Sequence, residues 1–233
     1  MILNLGEGTH KIEDNILTIK YEADALEPYT LKGINDEHLE INGYYNGNVI
    51  IQNSTFQTIS ISCFANSLIL ENVHSCEVII NQSSVKIIRS SFESVRINTS
   101  RLECDDVTTN DFHIDFKYLF NDYGIREFHC CLKRIKSKAL SIQMFHDYRN
   151  CYMHTLRLNN VITDEISINL HGFSFQILIE YLVFKQKALR FDVLSLNMDE
   201  QSRKELRINS LEAFARCVFT QEEFQKLLSY AKR

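Results

Sequence analysis

Residues 103–122 hold Glu103, Asp105, Asp106, Asp111, Asp115 and Asp122 against a single Lys117, a formal charge of 1 − 6 = −5 that equals that of the whole chain. Phe112 and Ile114 alternate with Asp111, His113 and Asp115, so a strand here turns two apolar side chains inward and three titratable ones outward together. Arg96 and Asn98 stand 17 residues before His113 and Asp115, and a repeat of that length sets them beside the acidic strand. Carboxylates and an imidazole on one face could work as acid and base on a polysaccharide, which makes Asp111, His113 and Asp115 the catalytic candidates. Arg96, Asn98, Asp105 and Asp106 are the binding candidates, with Arg96 suited to a sugar carboxylate. The same oxygens suit a hard cation such as Ca²⁺. The structural alternative is a solvated acidic face, because no fixed catalytic signature accompanies these residues.

A second set joins thiols to imidazoles. His129, Cys131, Cys151 and His154 are candidate metal ligands, since Cys151 and His154 have a spacing that can clasp zinc. The adjacent His129, Cys130 and Cys131 lack the gap of ordinary zinc motifs, so buried core cysteine is the competing expectation, and a Cys-His nucleophile pair is a further one. No Gly-rich phosphate loop, nucleophile elbow or zinc-protease helix motif is present, and no cofactor is expected.

The elements that must carry these residues are visible as a repeat. Leu68, Leu70, Val78 and Ile80 are matched 17 residues on by Val85, Ile87, Val95 and Ile97, and again by Leu102, Cys104, Phe112 and Ile114. A fixed period with two short apolar alternations per unit predicts a parallel β-helix, or β-solenoid, of ~17-residue coils that bury their apolar side by stacking. Similar pairs at Leu39/Ile41, Val49/Ile51 and Ile59/Ile61 extend it backward, and Phe128/Cys130, Leu140/Ile142, Leu156/Leu158 and Ile166/Ile168 extend it forward with inserted loops on one side. The organisation read from this is a capping segment at 1–37, a solenoid at 38–175 and a helical region at 176–233. A separate α+β unit from Lys117 onward is the alternative for 117–175.

Stacking at this period lines Asn81, Asn98 and Asp115 into one column and Asn53, Asn72, Arg89 and Asp106 into another. Such columns read either as a ligand-binding stripe or as Asn ladders that stabilise turns, the second being the recurrent use. With only seven glycines and one proline, Asn is expected to supply many of the left-handed turn conformations.

Beyond residue 176 the apolar spacing of Ile177, Leu178, Tyr181, Leu182, Ala188 and Leu189 reads as helical, and Thr220 with Glu223 forms a capping box. Leu211, Phe214, Phe219 and Phe224 give that region an apolar stripe, which either packs on the last coil or mediates association with another protein or a second copy.

Composition excludes several classes. An apolar fraction of 45% fills a core and rules out disorder, while a net charge of −5 is too mild to predict a nucleic-acid or membrane-surface partner. Seven scattered cysteines, several at core positions, point to reduced thiols and a cytoplasmic location, and residues 1–10 carry no export signal. The function expected is a non-enzymatic binding or scaffolding solenoid acting through its flat faces and helical tail, with a carbohydrate-active enzyme using the acidic stretch as the alternative.

Overall fold

The computed structural model of the protein describes residues 2–5, 11–13, 16–19, 28–45, 47–116, 127–145 and 154–198. These residues form thirteen strands in one sheet: β1 Ile2–Leu5, β2 Lys11–Glu13, β3 Ile16–Ile19, β4 Tyr29–Lys32, β5 Asn35–Tyr44, β6 Asn48–Phe64, β7 Ser67–Asn81, β8 Ser84–Thr99, β9 Arg101–Phe116, β10 His129–Phe145, β11 His154–Ile179, β12 Leu182–Val183 and β13 Gln186–Met198. From β5 to β11 each strand pairs in parallel with the next in sequence, which is the arrangement of a β-solenoid. The one antiparallel pair is β2 with β3.

Each of the strands β6 to β10 is a whole coil bent at two corners. In β7, Leu68 and Leu70 point inward, Glu71 and Asn72 both point out, Val73 and Ser75 point in, Cys76 and Glu77 point out, and Val78 and Ile80 point in. Alternation therefore runs along three short faces, and each corner inserts two consecutive outward residues. The inward residues of successive coils lie in register, as in the column Val49, Leu68, Val85, Leu102, Cys130 and Leu156. All six are essentially inaccessible to solvent, and each fully buried aliphatic side chain of this kind is worth about 1.5–3 kcal/mol.

The first corner has a fixed backbone signature. Gly33 (φ 68°), Asn53 (50°), Asn72 (53°), Arg89 (49°), Asp106 (60°), Arg134 (52°) and Asn160 (55°) share one column, all left-handed. Asn fills part of it as expected, but two arginines hold the same conformation without the local side-chain bonding that favours Asn. Ser54 and Ser90, the inward residues just past this corner, each donate to the carbonyl two residues back (2.8 Å) and accept the N–H of the neighbouring coil's Ile34 or Val73 (3.1 Å). They supply partners where the bend interrupts the ladder.

The solenoid does not stop at 175. Residues 176–198, read above as helical, belong to the end of β11, to β12 and to β13. The misreading has a physical cause: Ile177 and Ile179 alternate as a strand, then Glu180 and Tyr181 turn out at a corner before Leu182 turns in. A corner thus converts period 2 into an i, i+3 step, which imitates a helix. The described residues of this stretch, 127–145 and 154–175, continue the same stack through β10 and β11, so the separate-unit alternative falls for them. Register is constant along each of these strand pairs, so the added coil length falls between Phe116 and Phe128 and between Phe145 and His154. The helical reading of 199–233, with Leu211, Phe214, Phe219 and Phe224, lies outside the described residues, as does Cys151. Among the described residues no helix is long and apolar enough to cross a membrane, which says nothing of strands.

Candidate functional site

Residues 103–115, contiguous in sequence, are spread around the coil. Glu103 lies on the first face and faces Lys86 across one rung at 3.8 Å. Asp105 sits at the first corner, paired with Arg134 at 2.7 Å, and Asp106 is the exposed left-handed residue beside it. Only Asp111, His113 and Asp115 occupy the third face together, with Arg96 and Asn98 one rung away as the period implied. His113 Nε2 approaches Asp115 Oδ1 at 3.2 Å, and Phe112 and Ile114 are fully buried beneath them. Of the seven catalytic and binding candidates, the structure gathers five and separates Asp105 and Asp106 from them.

The Asn columns are hydrogen-bonded along the stack. Asn98 Nδ2 donates to Asn81 Oδ1 (2.5 Å), and Asn72 Nδ2 donates to Asn53 Oδ1 (2.8 Å). At the first corner Gln52 donates to Glu71 (2.7 Å), Glu71 is also paired with Arg89, and Asn159 donates to Glu180. These side chains spend their polar groups on one another.

The thiol and imidazole candidates do not converge. His129 and Cys131 point outward on the first face beside Arg101, Glu103 and Arg157. Burial chiefly, and the two arginines after it, hold the His129 imidazole below its ordinary value, and burial raises the Cys131 thiol. His154 lies on the opposite side of the same wall, 1% exposed, with ring centroids 5.0 Å from both Phe128 and Phe175. Its Nδ1 accepts the Phe128 N–H at 2.9 Å, so this nitrogen is already engaged with the backbone where the chain re-enters the stack. Cys104 and Cys130 are inward core residues whose thiols burial pushes well above the usual range, and Cys63 is pushed up to about 12. Thiols held protonated this way are poor nucleophiles and poor ligands. No group of three or more His, Cys, Asp or Glu side chains suited to a metal ion occurs among the described residues.

The third face carries residues that the sequence did not single out. Its first outward column runs Glu77, Ser94, Asp111, Ala139, Glu165 and Gln186. Glu77, Asp111 and Glu165 are exposed, and none is in an ion pair among the described residues. They recur every second coil, about 9.6 Å apart at one coil per 4.8 Å. Between them Ala139, Ser141 and Ser167 floor an open depression of ≈ 320 Å³ that Glu165 and Gln186 border. Finding this column required the register across coils of 28 and 26 residues, which a 17-residue period does not give.

The fold and these faces define a protein of the parallel β-solenoid kind. No family model, no curated protein and no solved structure matches the chain.

Proposed function

We propose that this protein is a non-enzymatic binding or scaffolding solenoid that presents its flat faces, and its C-terminal region, to another protein. The observation that carries the reading is the third face. Its outward side chains form straight columns along the stack, and Glu77, Asp111 and Glu165 repeat there at a constant pitch, in no ion pair among the described residues. Many small contacts spaced by the coil height suit an extended partner with cationic groups, and such a surface binds without a deep pocket. A cytoplasmic setting belongs to the same proposal and is supported by thiols such as Cys63, Cys104 and Cys130 standing as core side chains.

A second reading, a carbohydrate-active enzyme, is supported by the grouping of Asp111, His113 and Asp115 with Arg96 on the third face. One experiment separates the two. Tagged full-length protein and the triple variant Glu77→Lys, Asp111→Lys, Glu165→Lys are compared in recovery of partners from native cytosol, and both the wild type and Asp111→Asn with Asp115→Asn are run against acidic polysaccharides. The binding reading expects a defined partner whose recovery drops at least about tenfold in the triple variant, as three lost charge pairs would give. Recovery equal in both proteins removes it. Turnover by the wild type that the Asn double variant abolishes would instead establish the enzyme, and an inert wild type ends that alternative.

A further inference from the structure

Among the described residues the large apolar side chains left exposed are Ile162 (40%), Tyr181 (50%) and Val183 (42%), and they are neighbours. Ile162 pairs with Val183 in register, and Tyr181 is the corner residue two before Val183. The outward column they end is polar in every earlier coil: Asn35, Thr55, His74, Ser91, Thr108 and Lys136 precede Ile162. The second face therefore turns apolar only in its last two described coils. One rung below, Lys133, Lys136 and Lys138 are exposed, and none is in an ion pair among the described residues.

The described chain ends one rung above the coil that carries the patch. β13 ends at Met198, which pairs in register with Ile177, and Ile177 lies four residues before Tyr181 in the coil beneath. The 35 residues that follow contain the stripe Leu211, Phe214, Phe219 and Phe224, with Glu222 and Glu223 adjoining Phe224. The stretch 199–210 alone spans up to about 40 Å when extended, ample to reach the second face. A tether this short also holds the segment at roughly millimolar effective concentration.

We propose that this patch is the docking site of the chain's own C-terminal segment. The stripe Leu211, Phe214, Phe219 and Phe224 covers Ile162, Tyr181 and Val183, and Glu222 and Glu223 lie against Lys136 and Lys138. Apolar surface is removed from water on both partners, and the acidic pair meets the uncompensated lysines. Presentation of this stripe to another protein, as proposed above, then requires its release from the patch, whereas the flat faces need none. The proposal concerns the purified chain alone, so it stands or falls separately from the partner reading above.

The chain has no tryptophan, so Phe224→Trp in the full-length protein is a lone tryptophan that can be excited selectively over the ten tyrosines, and Phe214→Trp is an independent second reporter. Docking predicts blue-shifted emission and weak acrylamide quenching from both. Adding Ile162→Asp with Val183→Asp should raise the quenching constant several-fold. Lys136→Glu with Lys138→Glu, which alters no apolar residue, should raise it partway, in step with added salt for the parent reporter. Circular dichroism checks that the β signal is kept. Reporters already exposed to quencher, or protected equally in both face variants, overturn the proposal. Protection that vanishes on dilution, with light scattering showing dimers, overturns it too, because the segment then docks on a second copy.

Discussion

Single side chains in this protein are placed by what they can bond inside a stack of coils. His154 is an example: as a histidine near cysteines it suggested a metal ligand, yet it lies between Phe128 and Phe175 and accepts the Phe128 N–H. That N–H lies just before β10, and the imidazole supplies its acceptor from the neighbouring coil. His154→Leu keeps the apolar packing and removes the acceptor. It is expected to destabilise the protein by about 1–3 kcal/mol, the cost of a buried unsatisfied donor, seen as a lower urea midpoint with unchanged slope. An unchanged midpoint would mean that water or another group replaces the imidazole. The metal expectation at this residue was drawn from type and spacing, which do not say whether a side chain faces in or out.

At the scale of one element, the first corner decides the shape of each coil. A left-handed residue costs roughly 1–2 kcal/mol more for ordinary side chains than for Gly, and most for β-branched ones. Arg89 sits there at φ 49° and its guanidinium reaches Glu71 in the neighbouring coil. Arg89→Gly relieves the backbone, but it loses an exposed ion pair of small value and adds the larger folding entropy cost of Gly, so the terms offset and its stability should stay within about 0.5 kcal/mol of the parent. Arg89→Val should lose about 1–2 kcal/mol, because the branched Cβ crowds the same conformation. Thermal unfolding of the two variants measures the difference, and equal melting temperatures would show that the corner relaxes to another turn. Asn at three corner positions was foreseeable from composition, since its side chain tolerates this region. Arg89 and Arg134 were not, because nothing in an arginine's chemistry favours a left-handed backbone.

The described coils form a linear stack, and each pairs with the coils above and below it. Interior coils such as β7, β8 and β9 lose two sets of ladder bonds on opening, whereas a terminal coil loses one. Amide exchange should therefore be slowest for the inward residues of β7 to β9 and faster by at least about tenfold toward β1 and β13, since one ladder's worth of bonds exceeds 1.4 kcal/mol. Uniform protection from end to end would indicate a single cooperative unit. Glu77 and Asp111 of the proposed binding face lie in these interior coils.

The inward residues of β7 to β9 were legible in the sequence because alternation and a constant 17-residue period are local properties: one strand's pattern repeats wherever it stacks on a copy of itself. The grouping of Asp111, His113 and Asp115 with Arg96 and Asn98 followed from the same register. Tertiary structure alone decided the rest. It separated Asp105 and Asp106 from Asp111 by turning the chain between them, and it brought Glu165 into line with Asp111 across insertions of unequal length. It also made strand of residues 176–198, whose i, i+3 spacing belongs to a corner. Each of these depends on where the backbone bends, and the bends are set by contacts with neighbouring coils rather than by the residues at the bend.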